Sequence, residues 1–193
     1  MPNTYRGYAS GDPGERIRTP SGKFEIYSNV LRMLGFAPVP RHREPSETPI
    51  SAPELSRQYP LVLITGTRVP YFYNGTLHNI PWLRCMQTDP VCFINRRTAA
   101  DLGILGREWV LIETPHGKVR ARAHLTEGIH PRVVSAQHGW SSGCRQLRLE
   151  DYPGDEMNVN NCVGDEHFGK ETYTPSMRGL LCRVLPAGRG RNP

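Results

Sequence analysis

The stretch Tyr59-Pro60-Leu61-Val62-Leu63-Ile64-Thr65-Gly66-Thr67-Arg68 constrains the fold more than any other part of the chain. Its apolar run, Leu61 to Ile64, is too short for a helix, follows a proline and includes β-branched residues, so it reads as a strand covered on both faces. The run stops abruptly in small and polar residues and ends on a guanidinium. Thr65, Gly66 and Thr67 let a ligand approach the main chain and offer it N–H and hydroxyl donors, and Arg68 adds a forked, permanently charged donor suited to phosphate or carboxylate. The same residues also suit a plain strand, a Gly turn and a surface Arg, and the decapeptide leaves both readings open.

The surrounding composition fits many short strands. With 18 prolines and 19 glycines among 193 residues, turns are frequent enough to favour short strands over long helices, in one main domain with additions. A net charge of +6 favours an anionic partner: nucleic acid, a phosphate-bearing cofactor or an acidic protein surface. The cysteines, at 85, 92, 144, 162 and 182, are odd in number and form no Cys-x-x-Cys pair, which argues against a disulfide framework and against a zinc or iron-sulfur site. They fit reduced thiols in a cytoplasmic protein. No signal-peptide pattern is present, and no run approaches the ~20 apolar residues of a membrane span.

Residues 1–58 read as an irregular N-terminal lead-in. Within it Phe24 and Ile26 alternate in a short half-buried strand. Ser28 then caps a short amphipathic helix carrying Val30, Leu31 and Leu34, which Gly35 stops, and a proline-rich extended connector follows from residue 37. Residues 59–187 form the main domain, and 188–193 are a basic tail. Val69 to Tyr73 is an aromatic cluster suited either to walling a flat heterocycle or to filling a core. A helical turn is expected over Asn79 to Met86, a strand through Val91, Phe93 and Ile94, and a helix capped by Asn95 and ended by Gly103. Val110 to Glu113 and Val119 to Leu125 form a hairpin whose alternation sets Lys118, Arg120 and Arg122 on one face, and Pro131 to Ala136 is the next strand.

No Ser, His and Asp set, nucleophile elbow, Walker pattern or Rossmann pattern appears. His130 and His138 lack a third partner for a metal. No catalytic and no metal-ligating residue is therefore assigned. His138, beside Gly139 and Trp140, suits hydrogen bonding and stacking on a bound cofactor as well as it suits a structural role.

Several ordered blocks carry a further signal: Thr19-Pro20-Ser21-Gly22-Lys23, Leu63 to Arg68 with Tyr71, Asn79 to Leu83, Ile112 to Pro115 with Gly117, Gly128 to Val134, His138-Gly139-Trp140 and Arg178 to Val184. In order and spacing they resemble the C-terminal dinucleotide-binding domain of the molybdopterin oxidoreductases, the dimethyl sulfoxide reductase family. The resemblance implies a mainly β fold with small helices, a double-psi β-barrel, and a cofactor, bis(molybdopterin guanine dinucleotide) with Mo or W. By position it implies cofactor contacts from Thr65, Gly66, Thr67, Arg68, Tyr71, Asn79, His138, Gly139, Trp140, Asn158 and Asn160. Asn161-Cys162 replaces the usual leucines, and Gly106-Arg107-Glu108-Trp109 departs from the usual Gly-Asp-Trp turn.

The resemblance also implies that the metal ligand, any iron-sulfur cluster and the substrate site belong to upstream domains or another subunit. This chain alone is then expected to be non-catalytic, part of an enzyme of the formate dehydrogenase or sulfur-oxyanion and polysulfide reductase type. Two other readings are a stand-alone cofactor-binding or assembly module, and a basic β-barrel that binds nucleic acid through Lys118, Arg120 and Arg122; against the last, the aromatics are clustered rather than interleaved with those cations. The expected compartment is the cytoplasm, or the periplasm if a preceding segment carries a twin-arginine signal.

Overall fold

Six strands close into a barrel in the computed structural model, which describes residues 19–149, 156–166, 168–171 and 173–187. The expected lead-in 1–18 and basic tail 188–193 lie outside the described residues. In chain order the strands are β1 (Leu61–Ile64), β2 (Val91–Asn95), β3 (Trp109–Glu113), β4 (Lys118–Thr126) and β5 (Val133–Ala136). A separate two-stranded ribbon of β6 (Phe168–Gly169) and β7 (Thr174–Pro175) follows, and then β8 (Arg178–Pro186). Around the barrel the order is β1-β5-β2-β4-β3-β8, with β1/β5 and β2/β4 parallel and the other pairs antiparallel. Parallel neighbours require crossover connections, which a simple meander of hairpins does not have. The architecture is the mainly β, double-psi barrel class with small helices.

Alternation builds the core. On β3 Val110 and Ile112 are buried, and across the hairpin Val119, Ala121 and Ala123 face them from β4. Leu61 and Leu63 do the same from β1, while Val62 and Ile64 are only half-buried, so this strand is fully covered on one face rather than on two. Small residues such as Ala121, Ala123, Cys92 and Cys182 suit a narrow barrel interior filled by side chains. Burial pushes the Cys92 and Cys162 thiols up to about 12, and Cys182 is raised by burial and by those two neighbours, so all three serve as neutral apolar groups. Truncating one fully buried aliphatic residue, Leu63→Ala for example, costs about 2–5 kcal/mol.

The short helices follow their local signals. Helix α1 (Asn29–Met33) starts at Ser28, whose side chain accepts from Leu31 N at 3.2 Å, and the chain leaves it through Gly35 at φ +81°. Helix α2 (Pro53–Gln58) has its proline in the first turn, and α3 (Pro81–Arg84) repeats that arrangement. Helix α4 (Arg96–Asp101) is capped by Asn95, which accepts from Arg97 N at 3.0 Å. No helix of the described residues is long and apolar enough to cross a membrane.

Two expectations are corrected. Phe24 and Ile26 form no strand: they are 81% and 77% exposed, and the chain there is a turn held by Thr19 Oγ1 donating to Lys23 O and by Ser21 N donating to Glu25 Oε1. Local side-chain bonds give this backbone its partners in place of a neighbouring strand. The connector from residue 37 is not extended throughout, because Pro53 pre-sets the first turn of α2. The compact units divide between Arg43 and Glu44, and α2 lies against β8 of the barrel.

Candidate functional site

Beyond the end of β1 the chain turns through Thr65 to Arg68, and most of the site is assembled there. Thr65 is buried and its hydroxyl donates to Met177 O at 2.7 Å. Thr67 shares a hydrogen bond with Ser135 of β5. These hydroxyls therefore fasten the loop to the barrel, whereas the sequence suggested that they face a ligand. Gly66 and Arg68 are exposed, and among the described residues no acceptor lies against the N–H groups of Gly66, Thr67 or Arg68.

A second guanidinium joins them. The β1/β8 ladder pairs Leu63 with Leu180 and Ile64 with Arg178, so Gly179, at φ +78°, is an extra residue that bulges β8. The bulge sets the Arg178 side chain over the loop: a Cβ on Gly66 would lie 3.7 Å from Arg178 Nε and Nη2. Neither Arg68 nor Arg178 has a carboxylate partner among the described residues. Arg178 was missed as a site residue because the only sign of it in the sequence is the following Gly179, and its place beside Gly66 depends on strand register.

The His138-Gly139-Trp140 segment reaches the same loop. His138 Nδ1 lies 3.1 Å from Thr65 O and Nε2 lies 3.0 Å from Asn74 Oδ1. Gly139 has φ +86°, and any Cβ there would collide with the Asn74 carbonyl, so this position accepts only glycine without strain. Arg68, Val69, Phe72, Tyr73, Asn74 and His138 line a small depression. Tyr71 is exposed in the same segment.

Trp140 does not offer a stacking face. It is 1% exposed and packs with Val69 and Met157, with Phe72 and His78 set edge-on to it at centroid distances of 5.6 and 4.9 Å. The Phe72 ring stacks on His78 at 4.1 Å. The aromatic cluster is thus partly core, with Tyr71 and Tyr73 left outside.

A buried polar chain supports this packing. Arg84, fully buried, donates to His78 Nδ1 at 2.8 Å and to Ser142 O at 3.1 Å, and its guanidinium carbon lies 4.8 Å from the Trp140 ring centroid. Because a guanidinium only donates, His78 Nδ1 accepts, and Nε2–H donates to the Asn74 carbonyl at 3.1 Å. Burial, opposed in part by that hydrogen bond and helped by the Arg84 charge, lowers the His78 pKa and keeps the ring neutral.

The remaining candidates lie elsewhere. Asn79 lines a different and larger cleft of about 640 Å³, with Ser142, Gly143, Arg145, Gln146 and Arg148. Asn158 caps the 3₁₀ turn Val159–Cys162 and accepts from Asn160 N at 3.1 Å, so its carboxamide oxygen serves local structure. Asn160 is exposed. The structure therefore joins Thr65, Gly66, Thr67, Arg68, His138 and Gly139, while Asn79 lines the other cleft and Asn158 and Asn160 belong to the 3₁₀ turn and its cap. Among the described residues no cluster of His, Cys, Asp or Glu is arranged to hold a metal.

The strand cations behave differently. Arg120 and Arg122 both lie over the Trp109 ring, at 5.2 and 4.1 Å, and pair with Glu156 and Asp89.

Residues 61–181 match the family described as the molydopterin dinucleotide binding domain. The sequence is 41% identical over 110 residues to the acetylene hydratase of Syntrophotalea acetylenica, covering 57% of this chain and 15% of that protein. It is 34% identical over 183 residues to the dopamine dehydroxylase of Eggerthella lenta, covering 91% of this chain and 17% of that protein. The solved structure of acetylene hydratase from Pelobacter acetylenicus superposes with a TM-score of 0.78 at 30% identity, over 91% of this chain and 25% of that one. The chain thus spans only a small part of the length of each of these relatives.

Proposed function

Because the chain belongs to the molybdopterin dinucleotide-binding domain family of the molybdenum and tungsten oxidoreductases, we propose that its Thr65–Arg68 loop clamps a pyrophosphate arm of bis(molybdopterin guanine dinucleotide). The donor set suits such a group: among the described residues, three backbone N–H groups have no acceptor and the two guanidinia have no carboxylate partner. That concentration of open donors at one strand end is the observation that carries the reading. Each hydrogen bond from such groups to a charged phosphate is worth about 1.5–3 kcal/mol.

Residues of this chain do three things here. The hydroxyls of Thr65 and Thr67 hold the loop on the barrel, the N–H groups of Gly66 and Thr67 face the anion, and Arg68 and Arg178 neutralise it. Asn79, with Arg145 and Arg148 in the larger cleft, provides a second polar surface for the remainder of the cofactor. When bound, the cofactor supplies metal-centred redox chemistry, with its metal ligand and any iron-sulfur cluster contributed by upstream domains or a partner subunit. Acetylene hydratase, dopamine dehydroxylase and thiosulfate reductase name unlike substrates. That spread supports placing substrate choice outside this chain and does not narrow it to the formate or sulfur-oxyanion types.

The test is nucleotide and metal analysis of this chain purified together with the catalytic portion it assembles with. Acid release of a guanine nucleotide, with molybdenum or tungsten in the same fraction, is the expected outcome. An assembled complex that yields neither a pterin nor a guanine nucleotide overturns the reading. A chain that carries the cofactor but never enters an assembly would instead be a stand-alone carrier.

A further inference from the structure

We propose that His138 is a positioning residue: its imidazole ties the Thr65 carbonyl to the Asn74 carboxamide and so fixes the direction of the Gly66 N–H, without itself meeting the ligand. The proposal rests on the reading of the Thr65–Arg68 loop as an anion cradle. Thr65 C=O and Gly66 N–H belong to one planar peptide unit and point in opposite directions, so holding the oxygen sets the hydrogen. Gly66 is exposed and lacks a side chain, so without an external tie the Thr65–Gly66 peptide is free to rotate as a unit. His138 Nδ1, 3.1 Å from that oxygen, supplies the tie. A carbonyl only accepts, so Nδ1 carries the hydrogen, Nε2 is the acceptor, and the Asn74 carboxamide turns its NH2 to the ring as donor.

The ring is itself held from behind. Its Nε2 lies 3.0 Å from Asn74 Oδ1, and the Asn74 carbonyl takes the His78 Nε2–H, which connects through His78 Nδ1 to the fully buried Arg84. Gly139 is pressed against that same Asn74 carbonyl, which fixes the backbone that carries the ring. With Nδ1 donating to the Thr65 carbonyl and Nε2 accepting from the Asn74 carboxamide, little of the ring's hydrogen-bonding capacity is left for a ligand.

The test uses the full chain, with ring-nitrogen and Gly66 amide resonances followed by NMR and with inorganic pyrophosphate as the probe. The native ring is expected to show a protonated Nδ1, and Gly66 a single amide resonance. In His138→Ala the Gly66 amide is expected to double or broaden, with pyrophosphate affinity about tenfold weaker, the upper part of the range for one lost hydrogen bond. His138→Asn, which keeps an amide N–H near the Nδ1 position, is expected to restore the single resonance and most of the affinity. An unprotonated Nδ1, or a Gly66 resonance unchanged in His138→Ala, overturns the proposal. A native chain with the expected resonances but no affinity for pyrophosphate would leave the tie standing and defeat the cradle instead.

Discussion

The junction of Gly139 with Asn74 and the junction of Gly117 with Asn161 are closed by the same device, a glycine pressed against a backbone carbonyl where a Cβ would collide. Each also has a histidine. At the first, His138 bridges Thr65 and Asn74. At the second, His116 Nε2 lies 2.9 Å from the Glu47 carboxylate, and Gly164 gives the ring room. Their charge balance differs. Around Gly117 the imidazole faces a carboxylate, and the neighbouring strand cations Arg120 and Arg122 are paired and stacked on Trp109. Around Gly139 two guanidinia stand beside open N–H groups, with no carboxylate partner among the described residues. A positive net charge therefore says little by itself; it becomes a binding property only where the fold leaves the cations unpaired.

Alanine substitutions at the two glycines give the largest test of this comparison. Gly139→Ala combines the collision with a left-handed backbone, which alone costs about 1–3 kcal/mol, while Gly117→Ala meets only the collision. Urea unfolding should show Gly139→Ala as the more destabilised variant, and the reverse order would break the comparison.

Charge removal comes next. Arg68→Ala and Arg178→Ala should each weaken pyrophosphate binding by about tenfold, with little change in unfolding midpoint, because neither side chain is in the core. Arg120→Ala and Arg122→Ala should leave that affinity within about twofold and lower stability instead, by about 0.5–1 kcal/mol for each lost ring contact. Calorimetry on the four variants separates the two regions, and equal losses of affinity would merge them.

The smallest expected effect concerns acid. His78 is held neutral with a pKa below its ordinary 6.5, so the unfolded chain binds more protons than the folded one as pH falls. The contribution is complete above that value and is lost as pH drops through it towards the folded pKa. Unfolding midpoints measured from pH 8 to 5 should decline on the acid side, and His78→Gln should flatten that part of the curve.

Much of the barrel was legible because its signals are local and periodic. Alternation marked β3 and β4, Asn95 and Gly103 bounded α4, and Ser28 and Gly35 bounded α1. The alternation of Phe24 and Ile26 misled for the same reason: a pattern of two apolar positions does not supply a partner strand, and none of the described residues pairs there. At the site, residue type singled out the Thr65–Arg68 loop and His138, which the fold brings into contact. Residue type left Trp140 open, since an aromatic beside a loop looks the same in sequence whether it faces ligand or core, and here it is buried against Phe72 and His78.

By itself the sequence determined that β1 to β5 are strands, that a turn joins β3 to β4 and which small residues end β1, since backbone propensity and hydrophobic period act within a few residues. Only the tertiary structure decided which cations are paired, that a bulge at Gly179 carries Arg178 over Gly66, and that His138 and Asn74 meet. Those outcomes depend on strand order and register around a closed barrel, which bring together groups more than 60 positions apart along the chain, such as His138 and Asn74 at a separation of 64.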